Sequence, residues 1–183
     1  MNDQMKTVYQ RRNFVVLDTE TTGFRRPCQI IDIAIYHCDG HPLLDTLMKP
    51  NEPISEFITD LTGITNAMVE DCLTWPDIKT WVLAYIAGKD VITYNARFDR
   101  HMLHCTDDMW NLVPTDYKQF SEWHCAMESY APYHGVFDEY YGSYKWAKLS
   151  VALEEQGIPK EPGHRAAADV RMTLKLLDKM CKE

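Results

Sequence analysis

Two acidic residues close the first strongly apolar run of the chain. Asp18 and Glu20 follow the run at residues 14–17 with one residue between them, and Gly23 ends the stretch. Side chains alternate along a strand, so both carboxylates would point to the same side of it. Two like charges this close repel each other unless a cation neutralises them. The pattern is typical either of a divalent-metal site at the end of a buried strand or of a strand that ends in a solvated polar turn.

Length and composition fit one globular domain. The chain has 183 residues, of which 45% are hydrophobic and 25% are charged, which is enough for a substantial core. No apolar run approaches the roughly 20 residues that a membrane helix needs, and the polar N-terminus lacks the apolar centre of a signal peptide. We therefore expect a cytoplasmic protein with no membrane partner. The six cysteines form no Cys-x-x-Cys pair, which favours free thiols over a disulfide framework.

The net charge of −8 argues at first against a nucleic-acid partner, because the phosphate backbone attracts basic surfaces. The objection weakens if several acids are metal ligands, since two divalent ions would add four positive charges. Basic residues such as Arg25, Arg97 and Lys148 also flank the motifs described below. The charge balance therefore permits nucleic-acid binding, but it does not predict binding that is tight and insensitive to salt.

The apolar pattern changes along the chain from strands to helices. Three strands are predicted at residues 14–18, 29–38 and 43–48, with a hairpin turn at Asp39-Gly40. Helical spacing then alternates with one short buried strand at 90–94, and residues 130–146 have the composition of a loop. Predicted helices begin near residues 76, 97, 125, 149 and 164. This order predicts one α/β domain with a mixed sheet, residues 12–183, after an N-terminal extension of residues 1–11.

Three further polar residues complete a candidate site. Asp99 follows the short strand at 90–94, and α/β proteins place ligands at the carboxyl ends of strands. Asp169 lies in an alanine-rich helix, where a bare carboxylate is costly without a partner. His164 precedes Asp169 by five residues, and its ordinary pKa suits a general base. Each of the three taken alone would also fit an exposed position or a helix cap.

Together, the four acids are suited to binding two cations. Carboxylate oxygens select hard ions such as Mg²⁺ or Mn²⁺, and two such ions about 3.5–4 Å apart support in-line attack on a phosphodiester. One ion would orient and activate water, and the other would stabilise the leaving alkoxide. A zinc site formed by His101, His104 and Cys105 is an alternative, but no fourth ligand is evident for it.

The order and spacing of three motifs resemble the DEDDh family of 3′→5′ exonucleases, which includes proofreading subunits of bacterial replicases and RNase T. The motifs lie at residues 18–23, 95–99 and 164–169, and the resemblance covers about residues 12–180. It implies a ribonuclease H-like fold, in which a five-stranded mixed sheet is flanked by helices.

The resemblance also implies roles for individual residues. Asp18 would bridge two Mg²⁺ or Mn²⁺ ions, and His164 would deprotonate the attacking water. The metal ligands would be Asp18, Glu20, Asp99 and Asp169. The terminal nucleotide would be contacted by Thr21, Thr22, Gly23, Phe24, Ile64 and Asn95. Phe24 would either stack on the last base, a contact that tolerates any sequence, or pack into the core.

We therefore expect a metal-dependent exonuclease that hydrolyses phosphodiester bonds at the 3′ end of nucleic acid and releases nucleoside 5′-monophosphates. Single-stranded DNA is the expected substrate, with RNA as the other candidate. The alternative is a nuclease-fold subunit that serves mainly as an interaction module for a polymerase or another processing complex, through residues 130–146. The sequence leaves open the biological pathway and the choice between monomer and homodimer.

Overall fold

The computed structural model describes residues 3–162 and 164–182. Five strands form the main sheet: β1 (Phe14–Thr21), β2 (Ile30–His37), β3 (Pro42–Leu47), β4 (Asp90–Thr93) and β5 (Glu122–Cys125). Their order across the sheet is β3-β2-β1-β4-β5. β1 pairs antiparallel with β2 and parallel with β4. The predicted α/β class, with a five-stranded mixed sheet flanked by helices, is confirmed.

Helices cover the sheet on both faces. In the described ranges they are α1 (Asp3–Arg11), α2 (Glu56–Thr62), α3 (Asn66–Val69), α4 (Trp75–Ile86), α5 (Ala96–Met109), α6 (Ala126–His134), α7 (Leu149–Glu155) and α8 (Ala166–Lys182). A small hairpin, β6 (Phe137–Asp138) and β7 (Ser143–Tyr144), lies between α6 and α7. None of the described helices combines the length and the apolar character needed to cross a membrane. All six cysteines are free thiols, as predicted.

Strand β1 separates two apolar layers. Val16 packs into a cluster with residues of α1, α6, α7 and α8, whereas Val15 and Leu17 pack into a cluster with residues of α4 and α5. Because side chains alternate along a strand, Asp18 and Glu20 continue the α8 side of the sheet. The strand therefore carries its two carboxylates from the core directly to the edge of the α8 layer.

The segment between β3 and α4 contains two short helices that the sequence analysis did not predict. Ser55 caps α2, where its hydroxyl accepts from the Ile58 amide at 3.4 Å, and Thr65 caps α3 by accepting from the Met68 amide at 3.3 Å. Ile58 and neighbouring isoleucines bury against Ile31 of β2. Helices of seven and four residues are too short to show a clear apolar period, so the capping residues were the only usable signal.

The second half of the chain also differs from prediction at three places. β5 has only four residues, too few for a clear strand pattern. Helix α6 continues to His134 and ends at Gly135 with φ 71°, and the hairpin β6–β7 then occupies much of the predicted loop. Helix α8 begins at Ala166, so His164 lies before the helix and not within it.

Candidate active site

The end of β1 carries two half-buried carboxylates. Asp18 lies opposite Ala34, and Glu20 lies opposite Asp32, in the antiparallel pairing with β2. The register shifts between Glu20 and Thr21, so regular pairing ends at the second acid. No described residue donates a hydrogen bond to the carboxylate of Asp18 or Glu20. Both carboxylates are therefore partly withdrawn from water without a donor to compensate them.

Asp99 reaches the same region from helix α5. Asn95 caps this helix, its Oδ1 accepting from the amide of Phe98 at 3.4 Å, and the cap places Asp99 in the first turn. Asp99 is 2% exposed and accepts a hydrogen bond of 2.9 Å from Thr19 Oγ1. Thr19 stands between the two acids of β1, so this bond fixes the third carboxylate against the strand that carries the first two.

Helix α8 and the residues before it supply the remaining members of the site. Asp169 lies in the first turn of α8, and His164 lies two residues before the helix. One ligand atom from each of Glu20, His164 and Asp169 lies within 4.8 Å of the others. His164, Asp169 and Lys148 line a cavity of about 370 Å³. Three segments far apart in sequence therefore converge on one cleft.

Burial raises the pKa of each of the four carboxyl groups, and repulsion from other members of the set adds to the rise at Asp18 and Glu20. Burial is the largest cause in every case. It raises the pKa of Glu20 to about 8, with the charge of Asp169 adding to the effect. Burial likewise raises the pKa of Asp99 to about 7 and that of Asp169 to about 6. The pKa of Asp18 is raised well above its ordinary value by burial and then by the charges of Asp99 and Asp169.

Another buried acid, Asp107, shows what a satisfied carboxylate looks like in this protein. It is 1% exposed and lies 2.8 Å from Lys79 Nζ. It also accepts hydrogen bonds from Trp75 Nε1 at 2.8 Å and from the Tyr117 hydroxyl at 3.0 Å. Within the part of the chain that the structure describes, no cation or hydrogen-bond donor is in comparable contact with the carboxylates at the end of β1, although the charge of Arg165 lowers the pKa of Glu20. A bound cation would supply the missing compensation, and the all-oxygen character of the four carboxylates fits a hard divalent ion.

Asp32 and Arg165 belong to this region, although the sequence analysis did not select them as site residues. Asp32 Oδ2 accepts from Arg165 Nε at 2.7 Å and from the backbone N–H of Ala166 at 3.3 Å. Its Oδ1 is buried with no hydrogen-bond partner among the described residues. Burial raises the pKa of Asp32, and the bond from Arg165 opposes that rise. The sequence signal for Asp32 was its position inside the apolar run of β2, because a buried carboxylate needs a cation or a hydrogen-bond donor as a partner.

The predicted nucleotide contacts after Glu20 form an ordered turn. The Thr21 hydroxyl donates to the carbonyl of Gly23 at 2.6 Å. Thr22 pairs with Gln29 through both its backbone N–H, at 2.8 Å, and its hydroxyl, at 3.0 Å. Phe24 is 57% exposed, so its ring is not part of the core and is free to contact a base.

The other two predicted contacts differ in exposure. Asn95 is half-buried and lines a second cavity, next to the first turn of α5. Ile64 is fully buried beside Ile54 and Ile58. Its side chain therefore faces the core, and a contact to a nucleotide would involve the loop backbone at residues 63–65.

The alternative zinc site does not form. His101 Nε2 lies 3.4 Å from Cys105 Sγ, but His104 packs edge-on against Tyr117 at 5.2 Å between ring centroids. Within the described parts of the chain these three residues do not make a cluster of metal ligands.

A second cluster with metal-type side chains comprises Asp90, Glu122 and His124. These residues lie in β4 and β5, outside the candidate active site. His124 Nε2 and Asp90 Oδ1 are 2.7 Å apart, a hydrogen bond that accounts for this arrangement by pairing two neighbouring strands.

Sequence comparison connects the chain with exonucleases. The RNase_T family, described as exonuclease, matches residues 15–177. An uncharacterized exonuclease, CP81 of Escherichia phage 186, is 36% identical over 171 residues, which cover 92% of this chain and 88% of that protein. The PolC-type DNA polymerase III of Bacillus subtilis (strain 168) is 27% identical over 178 residues, which cover 95% of this chain but only 12% of the polymerase.

Solved structures share the fold over nearly the whole chain. Exonuclease X in complex with 5′ overhanging duplex DNA has a TM-score of 0.66 at 24% identity, covering 93% of this chain and 92% of that one. The nuclease domain of 3′hExo, a DEDDh family member bound to rAMP, has a TM-score of 0.67 at 19% identity, covering 92% and 93%.

Proposed function

Because the chain belongs to the RNase_T family of exonucleases, of the DEDDh type, we propose that it removes nucleotides from the 3′ end of a nucleic-acid strand in the 3′→5′ direction. The observation that carries the proposal is the convergence of Glu20, His164 and Asp169 within 4.8 Å, with Asp99 close enough to raise the pKa of Asp18. Single-stranded DNA is the proposed substrate.

Asp18, Glu20, Asp99 and Asp169 are the proposed ligands for two Mg²⁺ or Mn²⁺ ions. When bound, such ions supply Lewis-acid activation of water and charge stabilisation of the leaving alkoxide. The donor set supports this assignment, because all four side chains offer oxygen. Among the described residues no cation forms an ion pair with Asp18 or Glu20, which supports it as well, since two positive ions would offset the repulsion that raises the pKa of these two acids.

His164 is the proposed general base. Its side chain is at the cleft and is exposed, so water can reach it. His164 would take one proton from the water molecule whose oxygen attacks phosphorus. The bond from phosphorus to the 3′ oxygen breaks, and its electron pair leaves with that oxygen. After protonation, this oxygen becomes the 3′-hydroxyl of the shortened strand, and the released product is a nucleoside 5′-monophosphate.

The turn after Glu20 is proposed to hold the terminal nucleotide. The hydrogen bonds of Thr21 and Thr22 fix the backbone of the turn, and the exposed ring of Phe24 offers a surface on which any base can stack. Asn95 and the backbone around Ile64 are the other proposed contacts. A pocket built in this way would recognise the end of a strand rather than its sequence.

Degradation of a 5′-labelled single-stranded oligonucleotide in Mg²⁺ tests the direction and the site together. We expect a ladder of labelled products shortened from the 3′ end, and loss of this ladder with Asp18→Ala. Asp60→Ala, which removes an exposed acid of α2, is the matched control and should leave the ladder unchanged. Early release of the labelled mononucleotide would contradict the proposed direction. Parallel reactions with duplex DNA and with RNA of the same sequence establish the substrate preference.

A second candidate function, an interaction module for a polymerase or other processing complex, is favoured by the hairpin β6–β7. Tyr140 and Tyr141 at its tip are 87% and 76% exposed, an unusual solvent exposure for large side chains. Calorimetric titration with Mg²⁺ and Mn²⁺ separates the two functions. Absence of binding by the wild-type protein would support the interaction module, whereas carboxylate-dependent binding supports the nuclease.

A further inference from the structure

A groove runs along helix α5 beside the candidate active site. It encloses about 520 Å³ and is lined by Asn95, Arg97, Phe98, Arg100, His101, His104 and Trp146. We call it the α5 groove. Two arginines and two histidines belong to this set of described lining residues, and no acid does. The groove is therefore a basic strip on a protein whose net charge is −8.

The basic side chains follow one face of the helix. Arg97, Arg100, His101 and His104 have the spacing of neighbours on a helix surface. Among the described residues neither Arg97 nor Arg100 forms an ion pair. From Arg97 to Arg100 the helix rises about 4.5 Å, slightly more than one phosphate step at the 3.4 Å axial spacing of one stacked strand. The two unpaired arginines can therefore contact neighbouring phosphates of one strand.

The groove is also lined by an aromatic side chain on an anchored segment of backbone. Trp146 is 58% exposed, while the next residue, Ala147, is buried and accepts a 2.7 Å hydrogen bond from the Tyr94 hydroxyl through its carbonyl. Lys148, one residue further on, lines the cleft that contains His164. The α5 groove and the catalytic cleft therefore lie on either side of one anchored segment, residues 146–148.

We propose that the α5 groove binds a single DNA strand on the 5′ side of the terminal nucleotide. The proposal rests on the proposed exonuclease function and extends it to nucleotides that are not cleaved in the current step. Trp146 offers a stacking surface for a base, and Arg97 and Arg100 contact backbone phosphates, the two elements that single-strand binding uses in general. The groove contains unpaired cations and lies next to the cleft in which a phosphodiester must bind. These two features favour a polyanion over a protein as the partner.

Two substrates distinguish strand binding in the α5 groove from hydrolysis in the catalytic cleft. The 4-nitrophenyl ester of thymidine 5′-monophosphate fills only the site of the terminal nucleotide, and its cleavage releases nitrophenol. Oligothymidylates of increasing length extend into the groove. For the wild-type protein we expect the oligothymidylate KM to fall as length increases. We expect Trp146→Ala to raise the KM of long oligothymidylates about tenfold, within the range for loss of one base stack, without changing ester hydrolysis. Trp146→Phe should retain most of the affinity.

The contribution of Arg97 and Arg100 is measured by the salt dependence of strand binding. Each phosphate contact of a single strand contributes about 0.7 to the slope of log affinity against log salt. The double variant Arg97→Ala, Arg100→Ala should therefore reduce this slope by about 1.4, measured as anisotropy of labelled oligothymidylate in Ca²⁺ without turnover. Matched controls are Trp81→Ala, which removes a tryptophan that is 48% exposed on α4, and the double variant Arg11→Ala, Lys118→Ala at a different surface cavity.

The possible results distinguish failure of the proposed exonuclease function from failure of the proposed strand-binding groove. If the wild-type protein hydrolyses neither substrate, the proposed function fails. If it hydrolyses both, and the groove variants keep the wild-type length dependence and salt slope, the α5 groove is not a strand-binding site and a protein partner becomes the better explanation. Weakened binding of RNA with unchanged binding of DNA would overturn the assignment to DNA. Wild-type ester hydrolysis in a groove variant shows that the variant is folded, so any loss of oligothymidylate binding measured by anisotropy then belongs to the groove, and Trp146→Phe gives the same comparison if Trp146→Ala does not fold.

Discussion

Arg165 Nε donates to Asp32 Oδ2 over 2.7 Å, and this ion pair ties the start of α8 to strand β2. Asp32 lies opposite Glu20 in the sheet, and Arg165 directly follows His164. The pair therefore connects the segment of the proposed base with the strand next to a proposed metal ligand. The side chain of Asp32 is 1% exposed, while that of Arg165 is 40% exposed.

Removal of Arg165 should affect stability and catalysis together. We expect Arg165→Ala to cost about 2 kcal/mol of unfolding free energy, less than the about 3–5 kcal/mol of a fully buried pair, because Arg165 is partly solvated. We also expect kcat to fall about tenfold with little change in KM, since the segment that holds His164 loses its tether. Urea unfolding and steady-state kinetics measure the two effects.

Two controls separate positioning from general destabilisation. Arg165→Lys keeps a cation near Asp32 and should recover part of kcat. Lys175→Ala breaks an exposed ion pair with Glu161 at the side of the same helix and should change stability by less than about 0.5 kcal/mol. Wild-type kcat in Arg165→Ala would show that the ion pair does not position His164.

Asp18→Asn should separate activity from stability. Loss of a metal ligand that stabilises the transition state by several kcal/mol corresponds to a rate loss of at least about a thousandfold. The metal-free variant should nevertheless be more stable than the metal-free wild type at pH 8, because burial and neighbouring carboxylates disfavour the charged form of Asp18. Thermal unfolding in EDTA checks this, and a lower midpoint for the variant would contradict the electrostatic account of the site.

The stability of the metal-free protein should fall as pH rises. Burial raises the pKa of Glu20 to about 8, that of Asp99 to about 7 and that of Asp169 to about 6. The folded chain then binds more protons than the unfolded chain between about pH 4 and pH 8, so each group stabilises the fold below its unfolded pKa and loses that contribution as pH passes its folded pKa. Melting temperatures in EDTA should decrease from pH 5 to pH 8.

Divalent metal should reverse this pH dependence. Carboxylates must be deprotonated to bind the ion, and an ion that binds only the folded state raises the melting temperature. Glu20→Gln supplies the control, because it removes the group with the highest of the three pKa values and should flatten the metal-free profile near pH 8. A metal-free melting temperature that climbs from pH 5 to pH 8 would contradict the prediction.

His164→Ala tests whether the histidine is a base or a ligand. As a base, His164 should contribute about 10²–10⁴-fold to kcat, while the affinity for Mg²⁺ measured by calorimetry stays unchanged. As a ligand, its loss should weaken metal binding, and its ring nitrogen is close enough to Glu20 and Asp169 for that role as well. A normal kcat would remove His164 from the mechanism altogether.

Strong local signals in the sequence indicated where Asp18, Glu20 and Asp99 lie in the fold. The two acids of β1 follow a long apolar run, and Asp99 follows a cap residue, Asn95, at the end of a strand. Such patterns involve only residues within a few positions of each other, so they can be recognised without knowledge of the fold. The same holds for the mixed sheet, because strand and helix periods differ clearly over residues 14–104.

Contacts between distant segments could not be predicted in this way. The partner of Asp32 lies 133 positions away in the sequence, and nothing local to Arg165 identifies it. The short strand β5 depends on pairing with β4 and has too few residues for a pattern of its own. The α5 groove depends on the anchoring of the segment that carries Trp146, where the Tyr94 hydroxyl donates to the carbonyl of Ala147, 53 positions away in the sequence.

The alternation of β1 between its two layers limits how this chain can be altered. Val15 and Leu17 face α4 and α5, and the next residue turns to the opposite face. Deleting one residue from 14–17 would invert every position that follows, driving two acids into a hydrocarbon interior and offering hydroxyls to the cleft. A substitution beside the acids leaves the side to which they point unchanged, whereas an insertion or deletion upstream of them would disable the enzyme even with all its functional residues retained.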